Sequence, residues 1–337
     1  MTLSKPVQKA AGANPLDRLA KALKPDLDAV NALILSRMQS DIPLIPELAG
    51  HLIAAGGKRI RPLMTLASAA LFGYKGNRHH RLSACVEFIH TATLLHDDVV
   101  DESDQRRGKA SANALFGNEA AVLVGDFLFS RSFQLMVEDG SLDVLRILSN
   151  ASAVIAEGEV LQLSTANNLD TTMDEYIQVI SAKTAELFAA ACEVGAIVAE
   201  RAPAECEAIR NYGMYLGIGF QISDDVLDYS ASEELLGKSL GDDFREGKMT
   251  LPVLLALEKA TPEERAFWQR TMGDVNQQEG DFKEALRLFE RYNALGRSMD
   301  IARDYAARGR KLLNDLPANV FRDDLSDLMT FAVEREY

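Results

Sequence analysis

Two short acidic segments of the same pattern stand out in this chain, Asp97-Asp98-Val99-Val100-Asp101 and Asp224-Asp225-Val226-Leu227-Asp228. In a helix, residues four apart share a face, so the first and last aspartates of each segment direct two carboxylates to one side. Like charges so placed destabilise an isolated helix by about 0.2–0.5 kcal/mol, which indicates that a cation is supplied from outside. Carboxylate oxygens without His or Cys among them suit Mg²⁺, which shares its coordination shell with substrate phosphates. The pattern therefore indicates a site for magnesium and a diphosphate.

The plain alternative is a pair of solvated acidic faces on a protein of formal net charge −14. The segments that precede the two motifs, residues 89–95 and 217–222, are mostly apolar. They have the composition of buried helix, and a solvated face would not normally end a core segment. The repetition of the motif and its apolar flanks favour the metal site.

Basic residues beside glycine form a second candidate site. Residues 56–62 read Gly-Gly-Lys-Arg-Ile-Arg-Pro, a flexible backbone followed by three cations. Lys58 and Arg61 are three apart and would share a face at a helix start. Cations there oppose the helix dipole, so the alternative of a merely solvated helix start is less favourable than a bound anion such as a diphosphate.

A further basic group follows the first aspartate motif. Arg106 and Arg107 are adjacent and precede Gly108, so they point in different directions and can serve two separate anions. His90 precedes Asp97 by about two helical turns on the same face, although a lone His on an apolar helix is usually a core residue. Three lysines are also candidates, each of which singly is more often an ordinary surface residue: Lys183, Lys238 and Lys248.

The elements that must position these residues are predicted to be helices. Apolar residues recur three and four positions apart, as in 142–148 and 282–289, and no convincing period-two alternation appears. Breakers at 73–77, at Gly108 and in 237–252 divide the chain into roughly ten or more helices, which predicts an all-α fold. No linker marks a boundary, so we expect a single domain over 1–337, with a motif-bearing core at about 56–252 and further helices of that domain at 253–337.

Composition restricts the class of protein. The first residues lack the apolar region of a signal peptide, and no run of about 18 uncharged apolar residues is long enough for a membrane span. Cys85, Cys192 and Cys206 are an odd count without close spacing, which indicates reduced core thiols. We therefore expect a cytoplasmic protein. Its net negative charge argues against nucleic acid as a partner, whereas a local site can still bind anionic substrates.

Together these residues closely resemble the trans-prenyltransferases, the isoprenyl diphosphate synthases, over about residues 56–252. Within that family the chain is most similar to the long-chain bacterial branch that makes octaprenyl to decaprenyl diphosphate, mainly through residues 90–108. The resemblance is carried, in the family's order, by Gly56-Gly57-Lys58, His90, the two aspartate motifs, Arg106-Arg107-Gly108, Gly125-Asp126, Lys183-Thr184, Gly219-Phe220-Gln221 and Gly237-Lys238.

The resemblance implies a helical bundle around a central cavity and a homodimer. It also implies an activity, in which an allylic diphosphate such as farnesyl diphosphate is ionised and coupled head-to-tail to isopentenyl diphosphate. The expected product is a long all-trans polyprenyl diphosphate of the kind that supplies the ubiquinone side chain.

Residue roles follow from the same resemblance. Mg²⁺, with two or three ions per active site, is implied at Asp97, Asp101 and Asp224, supported by Asp98, Asp225 and Asp228. The allylic diphosphate is implied to contact Arg106, Lys183, Lys238 and Lys248, with the oxygen dipoles of Thr184 and Gln221 near the developing allylic cation. The isopentenyl diphosphate site is implied at Lys58, Arg61, His90 and Arg107. In this role His90 would bind substrate and would not be an ordinary core residue.

Product length is expected to depend on Ala92 and Thr93, about one turn before Asp97. Both are small, whereas short-chain members of the family carry bulky aromatic residues there. The prenyl tail can then extend deeper, towards a floor for which Phe133 and Met136 are candidates, although plain core packing explains those two residues equally well.

Three other classes of protein are alternatives. A class I terpene cyclase shares an aspartate-rich helix, but its second metal motif differs and it needs no isopentenyl site. A non-catalytic subunit of a heteromeric synthase usually lacks some of these aspartates or cations, and all are present here. A di-iron helical bundle would need inward Glu-x-x-His pairs, which the sequence lacks.

Overall fold

The structure is a computed structural model, and it describes residues 14–54, 59–106, 109–230 and 240–334. In these ranges the chain is almost entirely helical, which confirms the predicted all-α class. The helices are α1 (Pro15–Ala22), α2 (Lys24–Arg37), α3 (Leu44–Ala54), α4 (Ile60–Leu71), α5 (Arg78–Val100), α6 (Ala112–Phe116), α7 (Asn118–Asp139), α8 (Leu142–Thr165), α9 (Met173–Ile180), α10 (Glu186–Val198), α11 (Pro203–Ser230), α12 (Asp242–Arg245), α13 (Leu251–Leu257), α14 (Pro262–Trp268), α15 (Asp281–Arg291), α16 (Ala294–Leu312) and α17 (Val320–Glu334).

Three short helical segments and one hairpin complete the description. Two π-helices follow α9 and α14, at Ser181–Ala185 and Gln269–Gly273, and a 3₁₀ turn at Leu313–Asp315 follows α16. The strands β1 (Gln105–Arg106) and β2 (Lys109–Ala110) pair antiparallel directly after the first aspartate motif. The sequence predicted no strand here, because two-residue strands are too short to show alternation.

Local sequence features mark the starts of α5, α9 and α11. Helix α5 follows the breaker at residues 73–77, and α11 begins at Pro203, whose fixed φ suits a first helical position. The capping box formed by Thr172 and Glu175 starts α9, since each side chain binds a main-chain N–H of the other's residue. Each of these helix starts depends only on residues that are close together in the sequence.

The centre of the bundle is formed by α4, α5, α10 and α11. Helix α10 packs against α4 and α11, while α5 lies along α7 and α4. The rings of Phe88, Phe188 and Tyr212 are buried, and the hydroxyl of Tyr212 donates to the main-chain oxygen of Leu325 at 2.8 Å. The C-terminal helices α16 and α17 pack on α11. The single domain stays a prediction.

Helix α7 is one of the helices whose apolar face is largely exposed. By length and composition it could cross a membrane, although it carries Asp126 and Arg131. It packs along α5 through Val124 and Leu128, whereas Leu123 on another face is 66% exposed. Such a helix belongs to the bundle on one side and offers an apolar surface on the other.

The three cysteines are buried and free, in agreement with their prediction as core thiols. Burial raises the pKa of the thiols of Cys85, Cys192 and Cys206. Cys85 donates to the main-chain oxygen of Ser132 at 3.4 Å and so joins α5 to α7. These thiols are therefore packing groups and not nucleophiles.

Candidate active site

The first aspartate motif forms the last turn of α5. The main-chain N–H of Asp101 donates to the carbonyl of Asp97 at 2.8 Å, so helical spacing continues through the C-cap. The side chains of Asp97 and Asp101 are partly exposed, while Asp98 is buried. The outer two carboxylates therefore lie on the more exposed side of this turn, and Asp98 lies on its packed side.

Two lysines from distant parts of the chain face this pair. Nζ of Lys183 lies 3.9 Å from Oδ2 of Asp97, and Nζ of Lys248 lies 3.7 Å from Oδ2 of Asp101. Each lysine is closer to a glutamate, Lys183 to Glu159 at 2.6 Å and Lys248 to Glu246 at 2.5 Å. The structure thus brings both predicted lysines to the first motif and shares each one between two acidic groups.

The charge of Lys248 is secured by its surroundings. Burial lowers the pKa of this amine, but the carboxylates of Asp243, Asp101 and Glu246 outweigh burial, so the pKa lies above its ordinary value. The ammonium form therefore persists throughout the neutral range. A permanent cation beside Asp101 can bind an anionic group that enters the cavity.

Lys183 and Thr184 lie in the π-helix Ser181–Ala185, held between two glycines. A Cβ on Gly158 of α8 would come 2.7 Å from Cβ of Ala182, and one on Gly217 of α11 would come 2.5 Å from Cα of Ala185. Neither gap admits a larger side chain without movement of the backbone. π-Helical turns are frequent at functional sites, and this one turns Lys183 towards Asp97.

The second aspartate motif lies in the last turns of α11, and its carboxylates differ in exposure. Asp224 is partly exposed, whereas Asp225 and Asp228 are buried. The carboxylate of Asp228 accepts from the main-chain N–H of Asp243 at 3.1 Å and so holds the segment that precedes Lys248. Asp224 is therefore the carboxylate of this motif that is accessible to solvent.

Asp225 is the centre of a hydrogen-bond chain. It accepts from the hydroxyl of Tyr176 at 2.6 Å and from the amide of Gln221 at 2.8 Å, and Thr184 donates to Gln221 at 2.9 Å. Burial raises the pKa of Asp225 to about 7 and Asp224 adds to the rise, while the hydrogen bonds from Tyr176 and Gln221 oppose it. The chain fixes the orientation of Thr184 and Gln221, the two side chains predicted to lie near the allylic cation.

The second predicted anion site includes His90 of α5, the helix that carries the first motif. Nη1 of Arg61, in the first turn of α4, lies 3.0 Å from Nε2 of His90, and the guanidinium lies 4.4 Å above the ring of Phe188. His90 precedes Asp97 on α5 by seven residues, about 10 Å along the helix axis. The structure therefore places His90 about two turns before Asp97 on α5, with Arg61 of α4 beside it.

Several predicted site residues fall outside the described part of the chain. They are Lys58, Arg107 and Lys238, together with the side chain of Arg106. Their roles stay predictions. Next to Lys58, Arg59 has a left-handed φ of 48° and forms an ion pair with the buried Glu87, which ties the start of α4 to α5.

The sequence analysis missed four residues that the structure places at the site. Asp243 and Glu246 lie close to Lys248 along the chain, so their acidity beside a candidate cation was a usable signal. Glu159 and Tyr176 lie on α8 and α9, and nothing in their local sequence distinguishes them from other helix residues. Only the packing of those helices brings them to Lys183 and Asp225.

The two residues predicted to control product length differ in burial. Ala92 is buried on α5, whereas Thr93 is partly exposed and its hydroxyl donates to the main-chain oxygen of His90 at 2.9 Å. Of the two floor candidates, Met136 is buried, whereas Phe133 is 39% exposed with its ring edge-on against Phe129. Their role as a floor stays a prediction.

An all-α bundle with aspartates at the ends of two central helices, opposed by lysines, defines an enzyme of the isoprenoid synthase fold. The sequence model of the family described as polyprenyl synthetase matches residues 42–289. The chain belongs to the polyprenyl synthetase family and is a prenyltransferase, an enzyme of the transferase class.

Similar proteins support this assignment over almost the whole chain. The chain is 46% identical to octaprenyl diphosphate synthase of Escherichia coli (strain K12), over 95% of this chain and 99% of that protein. Among solved structures, a decaprenyl diphosphate synthase from Rhodobacter capsulatus is 54% identical with a TM-score of 0.92, covering 96% of this chain and 100% of that one. A polyprenyl synthase from Caulobacter crescentus CB15, complexed with calcium and isoprenyl diphosphate, is 52% identical with a TM-score of 0.92, covering 97% and 99%.

Proposed function

We propose that this protein is a Mg²⁺-dependent synthase of long all-trans polyprenyl diphosphates. It condenses isopentenyl diphosphate with an allylic diphosphate such as farnesyl diphosphate, head-to-tail, to a product of octaprenyl to decaprenyl length. The observation that carries the proposal is the approach of Lys183 and Lys248 to Asp97 and Asp101. The pair of Arg61 and His90 lies about two turns back along α5, which carries His90. The names of the similar proteins, octaprenyl and decaprenyl diphosphate synthases, support the product range.

The donor set fits Mg²⁺. The accessible carboxylates are those of Asp97, Asp101 and Asp224, which offer oxygen ligands alone. They leave room for the waters and phosphate oxygens that complete the shell of this ion, and two or three ions per site suit three carboxylates on two helices. A relative complexed with calcium, another hard cation, agrees with this choice. When bound, Mg²⁺ would supply electrostatic stabilisation of the leaving diphosphate.

The lysines of the site serve the leaving group. Breaking the allylic C–O bond places charge on the diphosphate, and Lys183 and Lys248 are positioned to bind that charge beside Asp97 and Asp101. Because this charge is greater in the transition state than in the substrate, fixed cations accelerate the reaction and do not merely bind substrate. The glutamates bonded to each lysine hold its ammonium in place until substrate enters.

The second substrate keeps its diphosphate and needs a basic pocket without metal. Arg61 and His90 offer this pocket, about 10 Å along α5 from Asp97. No nucleophilic side chain is required, because the double bond of isopentenyl diphosphate is the nucleophile. The proton lost after coupling passes to the released diphosphate, consistent with a site that holds no dedicated base among its described residues.

The direct test uses purified protein with labelled isopentenyl diphosphate, farnesyl diphosphate and Mg²⁺, with chromatography of the products. We expect labelled chains of octaprenyl to decaprenyl length. The Asp224→Asn variant is the matched control and should give none. Release of an unlabelled terpene without consumption of isopentenyl diphosphate would instead identify a cyclase.

A homodimer is part of the proposal. Helices α7 and α8 expose large apolar side chains, with Leu123 and Val137 on the first and Val160 and Leu163 on the second, each more than 60% exposed. A second copy of the chain would cover such a surface, which is otherwise an aggregation risk. We also propose a cytoplasmic location, which three reduced thiols support.

A further inference from the structure

A cluster of three potential metal ligands lies where the start of α2 meets the start of α5. Its members are Asp26, His79 and His80, whose ligand atoms all lie within 4.8 Å of one another. Nε2 of His80 lies 2.7 Å from Oδ1 of Asp26, and Nε2 of His79 lies 3.4 Å from the same oxygen. The two histidines lie in the first turn of α5, at the opposite end from Asp97. The cluster is therefore separate from the proposed active site.

The convergence of the two imidazoles is not what helix geometry alone produces. Adjacent residues on a helix point about 100° apart. Here the rings of His79 and His80 stack with centroids 4.2 Å apart and planes at 29°, and both turn towards one carboxylate. The ring of Tyr74 lies edge-on to His79 at 5.1 Å and supports this orientation.

The cations of the same two helix starts are engaged elsewhere. Arg78 binds the carboxylate of Asp139 through two hydrogen bonds of 2.9 and 2.7 Å. Arg81 donates to the main-chain oxygen of Glu138 at 2.9 Å. On α2, Lys24 pairs with Asp28 at 2.6 Å. The carboxylate of Asp26 therefore faces two imidazoles and not one of these permanent cations.

The burial of the cluster is uneven. The side chain of His79 is buried, whereas those of His80 and Asp26 are partly exposed. Nδ1 of His79 is buried and has no hydrogen-bond partner among the described residues. Nε2, the other ring nitrogen, is the one turned towards Asp26 and is the donor that a metal ion would use.

We propose that Asp26, His79 and His80 bind one divalent transition-metal ion of the Zn²⁺ type. Two imidazoles and a carboxylate are the ligands that Zn²⁺ prefers, in contrast to the all-carboxylate set at the aspartate motifs. Metal–ligand bonds of about 2.0–2.1 Å in a tetrahedral site place neighbouring donors about 3.3 Å apart, and the two Nε2 to Oδ1 distances lie on either side of that value. The fourth position is open to water. Binding ties α2 to α5.

The test measures Zn²⁺ binding to the full chain, stripped of metal and assayed against a chromophoric chelator in excess Mg²⁺, which occupies the carboxylate sites. We expect one Zn²⁺ per chain in the wild type. His80→Gln and Asp26→Asn should each weaken binding at least tenfold. The matched controls are His51→Gln and His96→Gln, which remove histidines outside the cluster and should bind as the wild type does.

A second measurement separates binding at this place from binding elsewhere. Zn²⁺ should raise the melting temperature of the wild type and of both controls, and leave that of His80→Gln and Asp26→Asn unchanged. Both cluster residues are partly exposed, so these variants should fold. Equal Zn²⁺ affinity in the wild type and the two cluster variants, or loss of binding in His96→Gln, would overturn the proposal.

Discussion

At the residue scale, the aspartates of the two motifs differ in what they contact. Asp97 and Asp101 face lysines across the cavity at 3.9 and 3.7 Å, which is too long for a tight hydrogen bond and leaves their oxygens accessible. Asp225 and Asp228 are buried and bind side-chain and main-chain donors of the protein itself. Identical residue types thus divide into partly exposed carboxylates, for which we propose ligand binding, and buried carboxylates that hold neighbouring segments together.

Removing a ligand carboxylate should separate catalysis from stability. Asp97→Ala and Asp224→Ala should lower turnover by two or more orders of magnitude, because each removes an oxygen ligand for Mg²⁺. Partly exposed ion pairs such as Asp97–Lys183 contribute about 0–1 kcal/mol to stability, so the melting temperature should change little. The measurements are steady-state kinetics and calorimetry. Full activity in EDTA would contradict this prediction.

The buried carboxylate of Asp225 should make stability depend on pH. Its folded pKa of about 7 exceeds its ordinary value of 3.8, so the unfolded chain releases this proton first and stability falls as pH rises between those two values. Asp225→Asn removes the effect. We compare the melting temperatures of the metal-free variant and the metal-free wild type. The variant's melting temperature should exceed that of the wild type by more at pH about 8 than at pH about 5. A gain that is equal at both would show that this carboxylate is not the cause.

The two anion sites should respond separately to mutation. Arg61→Ala and His90→Ala should raise KM for isopentenyl diphosphate more than for the allylic substrate, since each contacts one anion alone. Lys183→Ala should raise KM for the allylic substrate or lower kcat. Kinetics with each substrate varied in turn would test this, and equal losses for both substrates in all three variants would argue against the assignment.

At the element scale, α5 carries most of the proposed reaction path. His90, then Ala92 and Thr93, then Asp97 and Asp101 follow one another along it, so the proposed diphosphate sites lie about two helical turns apart. The π-helix opposite supplies Lys183 because Gly158 and Gly217 allow it to pack closely. Rigid helices, and not loops, therefore determine these distances.

Product length should be set on α5. A tail whose diphosphate is held at Asp97 must pass Ala92, where a large ring would fill the tunnel. Ala92→Tyr should shift the product towards farnesyl to geranylgeranyl diphosphate without abolishing turnover, because the diphosphate sites are untouched. Ala92→Ser, which keeps the position small, is the control. Chromatography that still showed octaprenyl to decaprenyl chains from Ala92→Tyr would place the tunnel elsewhere.

At the scale of the whole molecule, the apolar surface of α7 and α8 bears on assembly. Leu163→Glu places a charge in the proposed subunit interface and should convert the dimer to monomer, because burial of an unpaired carboxylate is costly. Lys283→Glu, on the exposed face of α15, is a control with a new carboxylate elsewhere. Analytical ultracentrifugation measures the oligomeric state of the wild type and of both variants. A wild type that sediments as a monomer would refute the dimer itself.

What the sequence by itself determined was local: helices from apolar period and from breakers, and carboxylates paired at i and i+4 along α5 and α11. Those features depend on residues within a turn or two, so they were legible without the fold. The tertiary structure alone decided that Lys183 and Lys248 meet Asp97 and Asp101, and that Glu159 and Tyr176 join them. It also decided the exposure of each aspartate. These contacts join residues far apart in the chain, and their geometry follows from helix packing and from a π-turn that no local pattern announces.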